Sequence, residues 1–506
     1  MLAEAKPNSY QGQYSMSIQS NLANAEALYR QAKYSESLEL CNKVLAKKPK
    51  LAHAIHIVAL NNYAQGEFET AIIAFKKAIA INDQQSSFHS NLGNIYLDQE
   101  DFSLASRCFE KALALEPLLP EANYNLSICL HNQGKLKEAE NYCKKAILQD
   151  ATNSDFQLHL GVIYYDRGQF ENAAIAFLKS LEVQQKHQKG RTKVDAYWQL
   201  FSLHLSQHRY QDAIQTADLG IQSQQLSDEQ LCSLLIGKTI IFFLFNHLEE
   251  AKQALQLSEI IHHFPAPSKH IKNIGVFHTY IKNLIALEDS GVYRDCYTAN
   301  DEMKDIYFVS ESHGFAPNRT TINYKNENYR VKSLFIMGAK VIHFVKEEEN
   351  KYQVSLVSLL RDLPRGSKVV IGFGEIDCRP DEGIYPYSLK SQRDYKTVIN
   401  DMLTKYIEAL RSIADSFEIE IILYGVPAPH PQSIETLDEP KQQGFIDIID
   451  YYNQVLREIC RGQKMTLLDV YSLTNAAGKS NLQYHIDDHH LSPKTVPILF
   501  SNLNNS

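Results

Sequence analysis

The sequence predicts two halves of different fold class: an all-α superhelical array of antiparallel helix pairs, then a three-layer α/β/α domain with a mainly parallel sheet. Three observations carry this. Small and large apolar residues recur every thirty-four positions across 52–187 without an insertion. From about residue 304 onward, short apolar runs alternate with amphipathic stretches. Small and polar residues suited to chemistry follow three of those runs and recur near the C-terminus.

The 506 residues exceed one ordinary domain and are long enough for two or three. Hydrophobic residues are 44% and charged residues 22%, which supports packed cores and argues against wholesale disorder. The net charge of −8 argues against a nucleic-acid partner, which a basic excess would mark. Eight cysteines without a C-x-x-C pair imply no disulfide scaffold and no structural zinc, as in a cytoplasmic protein. MLAEAKPNSYQGQYSMS lacks a basic segment followed by an apolar one, so no signal peptide is expected. The apolar stretch 231–248 holds Lys238 and runs into Glu249 and Glu250, so a buried helix is expected there and not a membrane span.

The repeat is clearest at Gly93, Tyr96, Phe102, Ala105, Phe109 and Ala112. Thirty-four residues earlier stand Ala59, Asn62, Phe68, Ala71, Phe75 and Ala78. Thirty-four later come Ser127, Leu130, Leu136, Ala139, Cys143 and Ala146, and then Gly161, Tyr164, Phe170, Ala173, Phe177 and Ser180. Ala71, Ala105, Ala139 and Ala173 permit close helix approach, and the large residues around them fill the space between helices. Gly66, Gly134 and Gly168 fall where the two helices of a pair join, with Glu100 in that place in another copy. This pattern resembles the tetratricopeptide repeat (TPR), over roughly 18–260. A polar insertion at 185–193 breaks the register, weaker copies follow at Tyr210 and Leu248, and a further helical pair or cap is expected over 270–290. The resemblance implies a concave groove for a protein or peptide, with Asn91, Asn94, Asn123 and Asn125 as lining candidates.

In the second half, the runs 305–310, 333–338, 368–374, 419–426 and 465–470 read as buried strands. Residues 356–363, 398–416 and 448–462 read as amphipathic helices between them. In such sheets ligands sit at the carboxyl ends of strands. There lie Ser310-Glu311-Ser312-His313-Gly314, Gly338 and Gly374-Glu375-Ile376-Asp377-Cys378-Arg379, with Asp487-Asp488-His489-His490-Leu491-Ser492 near the C-terminus. Acyl transfer to a serine needs a hydroxyl at a sharp turn, a neutral imidazole, a carboxylate to orient it, and donors for the oxyanion. Ser312 suits the first role, and His490 and Asp487, three residues apart, suit the next two. The N–H groups of Ser312 and Gly338 are the oxyanion candidates.

These blocks resemble the SGNH/GDSL hydrolase superfamily over roughly 304–506. Ser310-Glu311-Ser312 stands where that family reads G-D-S, Gly338 at its oxyanion glycine, Gly374-Glu375-Ile376-Asp377 at G-x-N-D, and the last block at D-x-x-H-L-S. The resemblance implies Ser312 as nucleophile, His490 as base, Asp487 as its partner, and an acyl ester, including acylated carbohydrate, as substrate. It implies no cofactor and no metal. Ile376 departs from the family's Asn, a side-chain donor whose loss costs on the order of 100–1000-fold in rate. Glu375 and Arg379 are candidates to reshape that loop or meet substrate.

G-x-S-x-G lacks its first Gly here, and an α/β-hydrolase separates its acid and histidine further than Asp487 and His490. Asp-Asp-His-His has no partner cluster at metal-ligand spacing. Asp377 reads as a loop brace, Cys378 as structural, and His313, His343, His485 and His489 as packing residues. The Pro-rich stretch 428–443 reads equally as a lid or substrate loop and as a surface excursion. The expected organisation is a flexible extension over 1–17, the helical array over 18–290, a linker over 291–303 and the α/β domain over 304–506. The expected function is an esterase or acyl-transfer enzyme targeted by the array; the alternative is a non-catalytic scaffold with a ligand-binding α/β domain.

Overall fold

A computed structural model of the protein describes residues 9–187, 195–223, 226–259, 269–291, 296, 303–487 and 490–504. Part of the insertion at 185–193, most of the linker at 291–303, and Asp488 and His489 lie outside these residues. The chain gathers into two compact units, Met1–Tyr164 with Ile175–Thr192, and Tyr165–Ala174 with Lys193–Ser506.

The first unit is a helical array. Its first helix, Ser9–Arg30, begins inside the segment 1–17. Ile18, Leu22 and Ala25 anchor it against Cys41, Val44, Ala54 and Ile57. Three regular pairs follow: Ala52–Ala64 with Phe68–Ile81, Ser86–Asp98 with Phe102–Leu115, and Pro120–Asn132 with Leu136–Gln149. The residues joining each pair are left-handed, with φ +80° at Gly66, +58° at Glu100 and +77° at Gly134. A glycine adopts this without strain, and Glu100 shows that the turn is imposed even where a side chain must bear it. Ala71, Ala105 and Ala139 are fully buried, as are Phe75, Phe109 and Cys143 four residues on. Asn123 is also buried and bonded within the array, to Leu119 O and Gln149 Oε1 at 3.1 Å each, so it does not line a groove. Asn125 donates to Asn94 Oδ1 at 2.9 Å.

In the second unit, five helices lie between residue 193 and the sheet among the described residues. The helices are Asp195–Ser206, Tyr210–Gln222, Asp228–Leu244, Leu248–Glu259 and Lys269–Ser290. Asp228–Leu244 is buried along most of its length, which accounts for its apolar composition. Among the described residues, no helix is long and apolar enough to cross a membrane.

The sheet comprises β1 (Lys304–Ser310), β2 (Thr321–Tyr324), β3 (Glu327–Phe335), β4 (Lys368–Gly372), β5 (Glu420–Tyr424) and β6 (Thr466–Leu468). Its order is β2-β3-β1-β4-β5-β6. All pairings are parallel except β2 with β3, so the sheet is mixed. One face packs Val309, Val369, Ile371 and Leu423 under the helices Lys351–Arg361, Tyr395–Phe417 and Glu439–Gln463. The other packs Ile306, Phe308, Val370 and Ile422 under the C-terminal helix Thr495–Asn504. Alternation of buried residues along each strand therefore serves two cores.

Two details depart from the sequence expectation. The second expected strand, 333–338, ends at Phe335, and its N-terminal part starts at Glu327. Residues 428–443 are not an open loop but hold the short helix Pro431–Glu435 and the start of Glu439–Gln463, each with Pro in its first turn. The change of grammar near 291–303 also does not divide the compact units. Phe315 and Phe335 share one core with Phe201, Ile240, Tyr280 and Ile281 from the preceding helices.

The close contacts of the array are testable at Gly161, in the first unit. A Cβ there would lie 2.5 Å from the Phe177 ring. Gly161→Ala gains about 0.8–1.0 kcal/mol of helix propensity, but overpacking of this kind costs about 1–3 kcal/mol. Net destabilisation is expected in urea unfolding; a more stable variant would show that the Phe177 ring yields freely.

Candidate active site

The site begins where β1 ends. Buried Ser310 closes the strand, and Ser312–Gly314 forms a single 3-10 turn. Glu311 caps that turn with its own side chain: Oε2 accepts the Ser312 N–H at 2.6 Å and also the Ser312 hydroxyl.

His490 approaches from the other side. Its Nε2 lies 3.0 Å from Ser312 Oγ. Its Nδ1 lies 3.0 and 2.9 Å from the two carboxylate oxygens of Asp487. Asp487 Oδ1 also accepts the His490 N–H at 2.6 Å, so the three-residue spacing closes a turn that aligns carboxylate and ring together. Ser312 and His490 are 4% and 2% exposed. The structure thus brings Ser312, His490 and Asp487 into one hydrogen-bonded relay.

A residue that sequence reasoning did not single out lies against the imidazole. Tyr280, on the helix Lys269–Ser290, stacks on His490 with ring centroids 3.6 Å apart and planes 6° from parallel. It is fully buried, and its phenol oxygen accepts the Ala316 N–H at 3.1 Å. Nothing in its sequence context separates it from an ordinary packing tyrosine. His313 sits beside the relay, its ring 5.1 Å from that of His490, and burial lowers its pKa.

The remaining predicted residues surround the same opening. A cleft of about 1090 Å³ is lined by Glu311, Ser312, Gly338, Glu375, Ile376, Arg379, Pro427 and His490, and by Ala428, Pro429, His430, Gln432 and Ser433 of the Pro-rich stretch 428–443. Its other wall comes from repeat-like helices through Trp198, Gln199, Ser233 and Phe277. Gly338 has φ +67°, a left-handed conformation at the chain reversal after β3. Ile376 is buried and offers no side-chain donor to the cleft. Arg379 spans both carboxylate oxygens of Glu375 at 2.9–3.1 Å and reaches Glu382 at 3.4 Å. The adjacent Glu375 charge, with Glu311 and Glu382 behind it, raises the Arg379 pKa further. Both substrate-loop candidates are therefore engaged with one another.

Asp377 braces the loop, as its position predicted. Its carboxylate accepts the N–H groups of Val341 at 2.7 Å and Ile342 at 3.2 Å, which ties the strand-end loop after β4 to the one after β3. Cys378 is fully buried, and burial pushes its thiol pKa well up. His343 stacks on Tyr352 at 4.0 Å, and His485 Nε2 is 2.6 Å from Ser480 Oγ. Among the described residues, no group of three or more His, Cys, Asp or Glu side chains is arranged to hold a metal ion.

Comparison with known proteins identifies the array. Tetratricopeptide-repeat family models match residues 62–100, 90–155 and 154–187, so the N-terminal array is a TPR array. Among curated proteins, a peroxisomal targeting signal receptor of Candida glabrata is 25% identical over 121 residues, 24% of this chain and 20% of that protein. A probable UDP-N-acetylglucosamine–peptide N-acetylglucosaminyltransferase SPINDLY of Hordeum vulgare is 31% identical over 167 residues, 31% of this chain and 18% of that protein. The chain thus spans about a fifth of the length of these relatives. Among solved structures, YrrB, described as a TPR protein with an unusual peptide-binding site, is 21% identical with TM-score 0.31, covering 37% of this chain and 96% of its own.

The Asp377 brace has a pH signature. Burial raises its pKa from 3.8 to about 6, against the two N–H donors that lower it. A raised native value means that the folded state holds this proton more tightly than the unfolded chain. The contribution is therefore complete below 3.8 and is lost as pH rises through about 6. Asp377→Asn is expected to be less stable than the native protein by an amount that shrinks over that interval by on the order of 1–3 kcal/mol. Urea unfolding of both proteins from pH 4 to pH 7 measures this, and a pH-independent difference overturns it.

Proposed function

We propose that this chain is a TPR protein-interaction scaffold whose α/β half carries a serine acyl-transfer site of the SGNH type. Ser312 would be the nucleophile, His490 the base and Asp487 the carboxylate that orients it. The observation that supports the chemistry is the relay itself, with 3.0 Å from Ser312 Oγ to His490 Nε2 and 2.9 Å from Nδ1 to Asp487. The binding function is supported by the repeat matches, which favour a protein or peptide partner for the array.

In the proposed reaction, Ser312 Oγ attacks an ester carbonyl while His490 takes its proton. The imidazolium is stabilised by Asp487 and by the Tyr280 face, a cation–π contact worth up to about 2 kcal/mol when desolvated. His490 then protonates the departing alkoxide. Water or a second hydroxyl resolves the acyl-enzyme, and His490 is again the base. The cleft would hold an acyl ester, carbohydrate esters included. No cofactor enters this scheme. The absence of a disulfide among the described cysteines supports a reducing compartment such as the cytoplasm.

A second reading is favoured by Ile376, which stands where an oxyanion donor would be needed. In it the α/β half binds an ester or another ligand without turnover, and the whole chain is a scaffold. The matched family models, being repeats alone, fit this reading more directly than the first.

Two measurements separate them. Slow hydrolysis of p-nitrophenyl acetate by the purified chain is expected, lost by at least 100-fold in Ser312→Ala, His490→Ala and Asp487→Ala; activity that survives all three sinks the relay assignment. Ile376→Asn is expected to raise kcat by about 10-fold or more, since one oxyanion donor is worth on the order of 100–1000-fold when well aimed. An unchanged rate in that variant places the limit elsewhere in the site.

A further inference from the structure

Glu311 is the charged group nearest the nucleophile, and the relay does not use it. Its Oε2 takes the Ser312 N–H at 2.6 Å. That N–H is the same donor that an acyl oxygen needs as it becomes an oxyanion. The same carboxylate oxygen also receives the Ser312 hydroxyl.

Counting hydrogens shows what this second bond does. Ser312 Oγ carries one hydrogen, and the carboxylate only accepts. With that hydrogen given to Glu311, the 3.0 Å contact to His490 is a hydrogen bond only if Nε2 carries its own hydrogen. Nδ1 already faces both oxygens of Asp487, so it must donate as well. An imidazole protonated on both nitrogens cannot accept the serine proton. If the extra proton sits on Glu311 instead, the N–H is still occupied. The oxyanion position is closed in both arrangements, and in the first the base is also in the wrong state.

The group is also placed to move. Glu311 lines the cleft and is half-exposed, whereas Ser312 and His490 are buried. Arg379 lines the same cleft, and Glu311 is among the carboxylates that raise its pKa, behind Glu375. A guanidinium thus stands within electrostatic reach to receive the displaced carboxylate.

We propose that Glu311 is a displaceable plug: it occupies the oxyanion donor of Ser312 and misdirects the serine proton until the carbonyl of a neutral ester displaces it towards Arg379. This rests on the acyl-transfer reading of the same site. It makes the resting site closed, opened by its own substrate.

The test is labelling of the full chain with a fluorophosphonate. Ser312 Oγ forms the bond to phosphorus, fluoride leaves, and His490 takes the hydroxyl proton. The second-order rate is read by mass spectrometry of the peptide that contains Ser312. Glu311→Ala is expected to label at least 10-fold faster than the native chain. Glu311→Gln is expected to be faster than native as well, because its amide donates to Oγ and returns the serine hydrogen to His490; it carries the test if the alanine variant does not fold. Native labelling at Ser312 with neither variant faster overturns the plug and leaves the nucleophile standing. Absence of labelling in all three chains removes the acyl-transfer reading, and the plug with it.

Discussion

The stack of Tyr280 on His490 is the contact on which the geometry of the site depends. An imidazole with two nitrogens in use can still tilt about the line joining its partners, and a ring face pressed against it at 3.6 Å removes that freedom. Tyr280 also accepts the Ala316 N–H, so one side chain fixes His490 and the segment that carries Ser312. That segment is held again further along. Asn318 donates to Leu244 O at 3.0 Å, and Arg319 reaches Glu288 at 2.7 Å. Leu244 and Glu288 belong to helices Asp228–Leu244 and Lys269–Ser290. The loop after β1 is therefore positioned by helices of repeat character as much as by the sheet it leaves, which is why those helices and the sheet form one compact unit.

Much of this was legible in the amino-acid order, and the reasons are physical. The array could be read because close helix packing demands a small residue at one place in every copy; Ala71, Ala105 and Ala139 are fully buried there. The strands β1, β4 and β5 could be read because both of their faces are covered, which leaves continuous apolar runs. β2 could not, since Thr-Ile-Asn-Tyr is a short edge strand that pairs only with β3. Asp487 and His490 were legible as partners because a three-residue separation closes one turn. Tyr280 was not, because nothing local distinguishes a tyrosine packed on a base from one packed on a leucine.

Ile376 and Glu311 illustrate two kinds of legibility. The missing donor at 376 is a matter of residue type, visible in the sequence and unaltered by the fold. The capping by Glu311 is a matter of rotamer. A glutamate beside a serine after a strand end is compatible with many side-chain directions, and the fold selects the one that sets Oε2 on the Ser312 N–H. In the proposed reaction both features would weaken oxyanion stabilisation, yet they differ in permanence: a side chain without a donor cannot acquire one, whereas a carboxylate can rotate.

The site accordingly divides into groups held still and groups free to respond. His490, Tyr280 and Asp377 are buried, and each is fixed by at least two independent contacts. Glu311, Glu375 and Arg379 are half-buried and line the cleft; Glu375 and Arg379 are tied by an ion pair and Glu311 by bonds to Ser312, contacts that side chains can exchange. Proton transfer requires the first arrangement, because a base displaced by about 1 Å forfeits on the order of 100-fold in rate. Admission of a ligand requires the second. A scaffold with no chemistry to perform needs a cleft that adapts but has no need of an imidazole clamped on its face, at both nitrogens and by its own backbone N–H. That asymmetry in how the residues are held is what the proposed reaction at Ser312 would require.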